Sequence, residues 1–371
     1  MMMQRSEIVF WQEVISPHVM NLAQGLARAG QQVTYVTRHE MTPDRLRQGW
    51  TIPSSEGVAV KRISSASEAV SLLHTFGSDS THLTQGIRGN DYIEDFVGAF
   101  SSGKYRWLAM METVDERFWT APLKRLVYRY LLSRRSPDMV LAIGARMQEW
   151  VVARGFPRER VFPFAYFLAP PESVMIPKSA KGRDVQLAFV GNLIPRKRFD
   201  LLAGAALNLR ERRFHLTAIG QGTDHSADAL ALQRALGRDR VTLMGGLPME
   251  RVRELLGVFD YLILPSDHDG WGAVVSEALM AGVPAICSDA CGAAIVVERS
   301  RMGGVFRAGD LTAITRLMAE CVDQGGVTVE QREALAAWAR CLGAPQGTTY
   351  LSEILRFAAH GGERPNAPWT S

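Results

Sequence analysis

A chain of 371 residues has room for two domains, each with its own core, and 47% hydrophobic against 22% charged residues is the balance of a water-soluble globular protein. No run of about 18 uncharged apolar residues occurs, which excludes a membrane-spanning helix, and a net charge of +4 is too small and too dispersed to mark a nucleic-acid binder. The four cysteines, Cys287, Cys291, Cys321 and Cys341, form no CxxC pair and have no histidine at zinc-finger spacing, so buried free thiols are expected.

The opening residues, MMMQRSEIVFW, carry neither the apolar centre nor the small-residue cleavage site of a signal peptide, the pattern of a cytoplasmic protein. Residues 7–11 begin a first strand. Ser16-Pro17 then offers an N-cap with proline at the first helical position. Val19, Leu22, Ala23, Leu26 and Ala27 recur at intervals of three and four, one core face of a helix that Gly30 ends. Residues 32–36, 58–63, 81–84 and 107–111 read as further short strands, and their alternation with helical segments predicts a parallel, helix-covered sheet. His82, inside the 81–84 strand, is either a packed core histidine or a group near a cleft-facing strand end.

Between residues 121 and 160, nine Lys or Arg stand against three Asp or Glu, with Leu123, Leu126, Val127, Tyr130 and Leu131 at helical spacing. Two readings are open: a core helix with a charged outer face, or a basic amphipathic helix lying on an anionic membrane surface. Residues 139–144 form a buried strand and 146–154 a helix ending at Gly155. Three prolines without periodicity mark residues 169–184 as a linker.

The second half restarts with a strand at 185–190 that feeds Gly191-Asn192-Leu193-Ile194-Pro195-Arg196-Lys197-Arg198. Gly191 permits a close backbone approach, and the three cations suit phosphate oxygens. A strand at 216–219 ends in Gly220-Gln221-Gly222, a turn and not a dinucleotide fingerprint, because His225 stands where a third glycine would fall. Another strand at 241–244 ends in Gly245-Gly246. An apolar strand at 261–264 then stops at Pro265-Ser266 and gives way to an acidic loop, Asp267-His268-Asp269-Gly270-Trp271-Gly272, a helix at 273–281 and a strand at 284–287. Open parallel sheets place ligands at the carboxyl ends of their strands. Gly270 and Gly272 let the chain approach a ligand closely, and the free N–H groups of the following helix favour an anion such as a diphosphate. Asp269 and Glu277, eight residues apart, fall on the loop and about two turns into the helix, where both can face one cleft. Apolar spacing returns at Leu311, Ile314, Leu317 and Met318, around 335–338, and in a last helix at 350–359. Residues 361–371 are expected to be disordered.

The stretch DGWGAVVSEALMAGVPAICSDACG, residues 269–292, resembles the acid-x7-Glu signature of the retaining glycosyltransferases of family 4, in the GT-B superfamily, with Asp269 for the family's Glu and Trp271 for its Phe. Residues 191–197 are similar to the family's Gly-Arg-Leu-x-x-x-Lys loop, which holds the donor's pyrophosphate; Asn192 stands in the Arg position and Lys197 is the matched cation. Gly220-Gln221-Gly222 matches the family's Gly-x-Gly turn, and Gly245-Gly246 falls near where relatives hold the nucleotide base. Ser16 and His18 occupy the acceptor-side loop, and Glu112 stands where many relatives carry a His beside the reacting sugar. The likeness covers most of residues 185–300 and, more weakly, the N-terminal half.

The resemblance implies an α/β fold of GT-B type, with two Rossmann-like domains, a cleft between them, and C-terminal helices crossing back to the N-terminal domain. An acceptor-binding domain is expected at 1–168, the linker at 169–184, a nucleotide-sugar-binding domain at 185–345, the returning helix at 346–360 and the tail at 361–371. The implied activity is transfer of a sugar, with retention, from a UDP- or GDP-linked donor to a hydroxyl of a saccharide or lipid-linked saccharide in cell-surface polysaccharide or lipopolysaccharide synthesis. Neither a metal nor another cofactor nor nucleic acid is expected, and the place is the cytoplasm or the inner face of the plasma membrane. Asp267-His268-Asp269 also spells a metal-binding DxD, but its position just before Gly270-Trp271-Gly272 in the second half argues against that role. The catalytic candidates are Asp269, Glu277, Lys197 and Glu112. Donor contacts fall to Gly191, Asn192, Arg196, Lys197, Gly220, Gly245, Gly270, Trp271, Gly272 and Glu277, and acceptor contacts to Ser16, His18 and His82. The alternatives are another GT-B enzyme, such as a nucleotide-sugar epimerase, or a non-catalytic relative that binds a partner.

Overall fold

The computed structural model describes residues 7–47, 49–89, 91–134, 136–169 and 182–370. It divides into two units, one formed by residues 1–43, 52–169 and 343–371, the other by 44–51 and 170–342. Most of the expected linker, 170–181, lies outside the described residues.

The first unit carries seven parallel strands: β1 (Ile8–Val14), β2 (Val33–His39), β3 (Ala59–Arg62), β4 (Thr81–Gln85), β5 (Arg106–Glu112), β6 (Met139–Ile143) and β7 (Val161–Phe164). Their spatial order is β3-β2-β1-β4-β5-β6-β7. The order reverses direction between β1 and β4, where Ile8 pairs with Thr81 and Trp11 with Thr84. One face is filled by Val9, Trp11, Trp107, Ala109 and Val140 packed against Phe96, Phe100 and Trp150. The helix Pro17–Arg28 starts at the proline, as its sequence dictates, and lies against the helix Ala344–His360. A side chain at Gly25 would collide with Thr348 Oγ1, 2.0 Å from the added carbon.

The tail is ordered, contrary to the expectation of disorder. Trp369 is buried and lies beside Phe167, while Arg364 covers the ring of Phe162 and donates to the Val161 carbonyl at 2.6 Å. Aromatic packing on the end of the sheet offsets the entropy of ordering a short terminal segment.

The basic stretch contains the helix Ala121–Arg134, in which Ala121 and Leu132 are the buried residues, while Leu123, Leu126 and Tyr130 face outward. A core helix with a purely charged outer face does not describe it.

The second unit has six parallel strands: β8 (Val185–Val190), β9 (Phe214–Ile219), β10 (Val241–Leu243), β11 (Tyr261–Leu264), β12 (Ala285–Ser288) and β13 (Gly303–Phe306), ordered β10-β9-β8-β11-β12-β13. This is the Rossmann pattern, and its reversal falls between β8 and β11, where Tyr261 pairs with Leu187 and Leu262 with Ala188. Leu187, Phe189, Leu216 and Ile263 are fully buried in its core. Asp260, at the start of β11, is buried and receives Arg332 at 2.8 Å, both terminal nitrogens of Arg183 at 2.7 Å and the Gln186 amide at 2.9 Å. Arg332 also donates to the carbonyls of Phe259 and Gly257. A fully partnered buried ion cluster thus fixes the entry to β11, since an unpaired charge there would be strongly destabilising.

Candidate active site

The loops that follow β8 and β11 leave adjacent strands at the point where the strand order reverses, and their charged side chains meet. Lys197 Nζ lies 2.7 Å from Asp269 Oδ2, with Arg196 at 3.4 Å from the other carboxylate oxygen. Ser266 donates its hydroxyl to the same carboxylate at 3.0 Å, and Arg196 also donates to the His268 carbonyl at 3.0 Å. Burial by itself would raise the Asp269 carboxyl, but the charges of Lys197 and Arg196 and the hydrogen bonds from Lys197 and Ser266 outweigh it and hold the group below its ordinary value. Asp269 is therefore an anion at neutral pH.

Backbone contacts set this geometry. The Asp267 amide donates to the Arg196 carbonyl at 2.8 Å, joining the two loops directly. On the other side the Asp269 amide donates to Ala290, and the Gly292 amide donates back to Asp269 at 3.0 Å. A side chain at Gly292 would meet the Gly270 carbonyl at 2.0 Å, and one at Gly272, whose φ is +88°, would meet Cys291 Sγ at 2.7 Å. Glycine at 292 lets the loops after β11 and β12 touch main chain to main chain, and glycine at 272 adopts its left-handed turn while leaving room for the Cys291 thiol.

Gly191 and Gly220 approach in the same way at the ends of β8 and β9. The Gly191 amide donates to Ile219 at 2.8 Å, and a carbon added at Gly220 would sit 2.1 Å from the Gly191 carbonyl oxygen. The Gly220 amide in turn donates to Gly245 at 2.7 Å, so the carboxyl ends of β8, β9 and β10 form one continuous glycine-lined edge. Asn192 uses its side-chain oxygen to accept the Gln221 amide at 3.2 Å. It braces the turn after β9 and supplies no cation, and the positive charge of this loop comes from Arg196, Lys197 and Arg198.

Glu277 projects from the helix Ala273–Met280 and pairs with Arg253 Nε at 2.9 Å, an arginine on the helix Met249–Leu256 that no motif had marked. The Trp271 ring lies under the loop: the residue is 1% exposed, and its indole N–H donates to Ser276 at 3.0 Å. The ring fills the space under the loop and presents no surface to a ligand.

In the first unit, Ser16, His18 and Glu112 lie at the carboxyl ends of β1 and β5. Ser16 precedes the helix Pro17–Arg28, and its amide donates to the Tyr35 hydroxyl at 3.2 Å. His18 is buried and stacks on Tyr166, 4.5 Å between centroids at an 11° angle, and the Tyr166 hydroxyl donates to Glu112. Tyr166 carries no sequence signal, standing 54 residues from the carboxylate it bonds. His82 does not join them. It is fully buried among Trp11, Phe76, Phe100 and Tyr105, with Trp11 donating to its Nδ1 at 3.0 Å. The acceptor-side assignment of His82 is corrected: it is a core residue, and burial lowers its pKa to about 3.

Residues 174–340 match the family model described as glycosyl transferases group 1. Over that span the second unit is similar to the group 1 glycosyl transferases. Its sequence is 23% identical over 189 residues, 49% of this chain and 46% of the other, to the amylovoran biosynthesis glycosyltransferase AmsK of Erwinia amylovora. The chain spans about half the length of the curated relatives it matches. Among solved structures, the lipopolysaccharide outer core galactosyltransferase WaaB superposes with a TM-score of 0.69 at 15% identity, over 94% of this chain and 99% of that one. Alr3699/HepE of Anabaena, solved with UDP and glucose, superposes with a TM-score of 0.67 at 15% identity over 95% and 99%. The fold is GT-B.

Proposed function

We propose that the protein is a retaining glycosyltransferase of family 4 that moves a sugar from a UDP- or GDP-linked donor to an acceptor hydroxyl. The observation that carries this reading is the ion pair of Lys197 and Asp269 across the loops of β8 and β11, beside the glycine-lined edge. In the reaction the bond from the anomeric carbon to the diphosphate breaks, the acceptor oxygen bonds to that carbon on the same face, and the hydroxyl proton passes to the departing phosphate oxygen. Lys197 and Arg196 hold the charge that develops on the diphosphate, which is commonly the largest catalytic term. Glu277 accepts hydrogen bonds from the ribose hydroxyls, and Asp269 contacts hydroxyls of the transferred sugar. No metal is required in this scheme, because Asp267 and Asp269 already face Arg198 and Lys197. The cluster of His18, Tyr166 and Glu112 receives the acceptor. The likeness to AmsK and WaaB favours a saccharide or lipid-linked saccharide of cell-surface polysaccharide or lipopolysaccharide synthesis.

The test is a thermal-shift panel of uridine, guanosine and adenosine diphosphate sugars, since a ligand that binds only the folded state raises its melting temperature. One nucleotide class should stabilise the protein, and Glu277→Ala should remove both that shift and sugar transfer while leaving the fold intact. Unchanged turnover in Glu277→Ala contradicts the scheme. Release of free sugar without any acceptor product would favour an epimerase.

Peripheral membrane binding belongs to the same reading. Among the described residues no helix is long and apolar enough to cross a membrane. Phe118, Trp119, Leu123, Leu126 and Tyr130 are nevertheless exposed within one short stretch, Trp119 at 90%, next to Lys124, Arg125, Arg129 and Arg134. Apolar anchors beside cations suit an anionic bilayer surface, with the aromatic rings at headgroup level. The protein should sediment with vesicles containing phosphatidylglycerol and not with pure phosphatidylcholine, and Trp119→Ser with Leu126→Ser should abolish this. Equal recovery with both vesicle types excludes the anionic-surface reading.

A further inference from the structure

Three non-glycine residues among those described have positive φ: Asp91, Arg198 and Arg301. Arg301 closes the helix Ala294–Ser300, where a left-handed residue is common. Arg198, with φ 51° and ψ 46°, likewise closes the 3-10 turn Pro195–Lys197, its amide donating to the Pro195 carbonyl, and it also opens the helix Phe199–Asn208, where its side chain makes no capping bond. What sets it apart is where its side chain goes.

Arg198 Nη1 donates to Asp267 at 2.9 and 3.2 Å, and Nε and Nη2 donate to Asp200 at 3.0 Å each. Asp267 is held a second time by its amide on the Arg196 carbonyl, and two residues later comes Asp269, which receives Lys197. Strain of this kind persists where surrounding contacts over-determine it, and it gathers at sites where placement matters. We infer that Arg198 is a positioning residue, which clamps the loop after β11 through Asp267 so that Asp269 is presented to Lys197. The inference rests on the donor-site reading given above.

Replacement by glycine separates this role from a structural one, because glycine adopts the left-handed conformation without strain while losing the clamp. The readout is release of UDP from UDP-glucose, or of GDP from GDP-mannose, together with the melting temperature. Arg198→Gly should keep or raise the melting temperature while kcat falls about tenfold, an effect of misplacement and not of unfolding. Asp267→Asn should reproduce the loss, and the double variant should be no worse than either single one, as expected for two residues acting on one contact. Asp200→Asn should leave kcat unchanged, since Asp200 does not lie on the route to Asp269. Unchanged kcat in both Arg198→Gly and Asp267→Asn, or strictly additive losses, would overturn the inference. A melting temperature that drops in parallel with activity would do the same. A wild-type protein that releases no nucleotide from any donor sinks the donor-site reading itself, and the inference with it.

Discussion

Acidification should weaken the first unit through His82, and the size of the effect follows from its surroundings. Trp11 donates to Nδ1 at 3.0 Å, so the ring proton sits on Nε2, which faces the Ser80 oxygen at 2.7 Å. A second proton would have to enter on Nδ1, against the indole donor and inside an apolar cluster. Burial accordingly lowers the pKa from 6.5 to about 3. In the unfolded chain the same imidazole takes up a proton below its ordinary pKa, so stability falls with pH from there down to the folded value. At pH 4.5 the two-unit gap from 6.5 corresponds to roughly 3 kcal/mol. Urea unfolding at pH 7 and pH 4.5, for the wild type and for His82→Gln, isolates this contribution from the carboxylates common to both. The wild type should lose roughly 2–3 kcal/mol more than the variant over that interval. Parallel losses in the two proteins would refute the reasoning.

Lys197→Ala should lower nucleotide release from the donor about a hundredfold, and it should destabilise the fold by about 2–3 kcal/mol because Asp269 then stays buried with a weaker cationic partner. The stability gap should be full above the ordinary carboxylate range and should close as pH falls through the lowered pKa of Asp269; a gap independent of pH argues against the pairing. Arg332→Met leaves the Asp260 carboxylate short of a cation at the base of β11 and should cost about 3–5 kcal/mol by denaturant titration; a loss under about 1 kcal/mol would remove the cluster from the list of fold determinants. Trp369→Ala should cost about 3 kcal/mol if the tail is packed as described, and nothing measurable if it is loose.

The strands with continuous apolar runs, such as Leu187 to Val190 and Leu262 to Leu264, were legible because a buried parallel strand needs both faces apolar. β7 was missed because Pro163 interrupts a four-residue run, and β13 because Gly303-Gly304 reads as a turn when nothing shows that Ala285 and Ile286 lie alongside. The acidic loop and the basic loop were each visible as motifs, yet their pairing depends on β8 and β11 being neighbours, which spacing along the chain does not encode. Partners on separate elements were silent for the same reason, as with Arg253 for Glu277 and Tyr166 for His18 and Glu112. The position of His82 in a strand that ends near a cleft suggests a ligand contact, whereas packing places its ring in the core. The periodicity of residues 121–134 disclosed an apolar stripe without saying whether anything covers it.

The first unit is assembled from pieces far apart in the chain, for the helix Pro17–Arg28 is matched to Ala344–His360 through the contact of Gly25 with Thr348. During synthesis the ribosome releases the amino-terminal sheet long before its closing helix exists, so that apolar flank must wait, exposed, for most of translation. Chaperone dependence should therefore concentrate on nascent chains that stop short of residue 344, and a fragment ending near residue 168 should aggregate where the full chain does not.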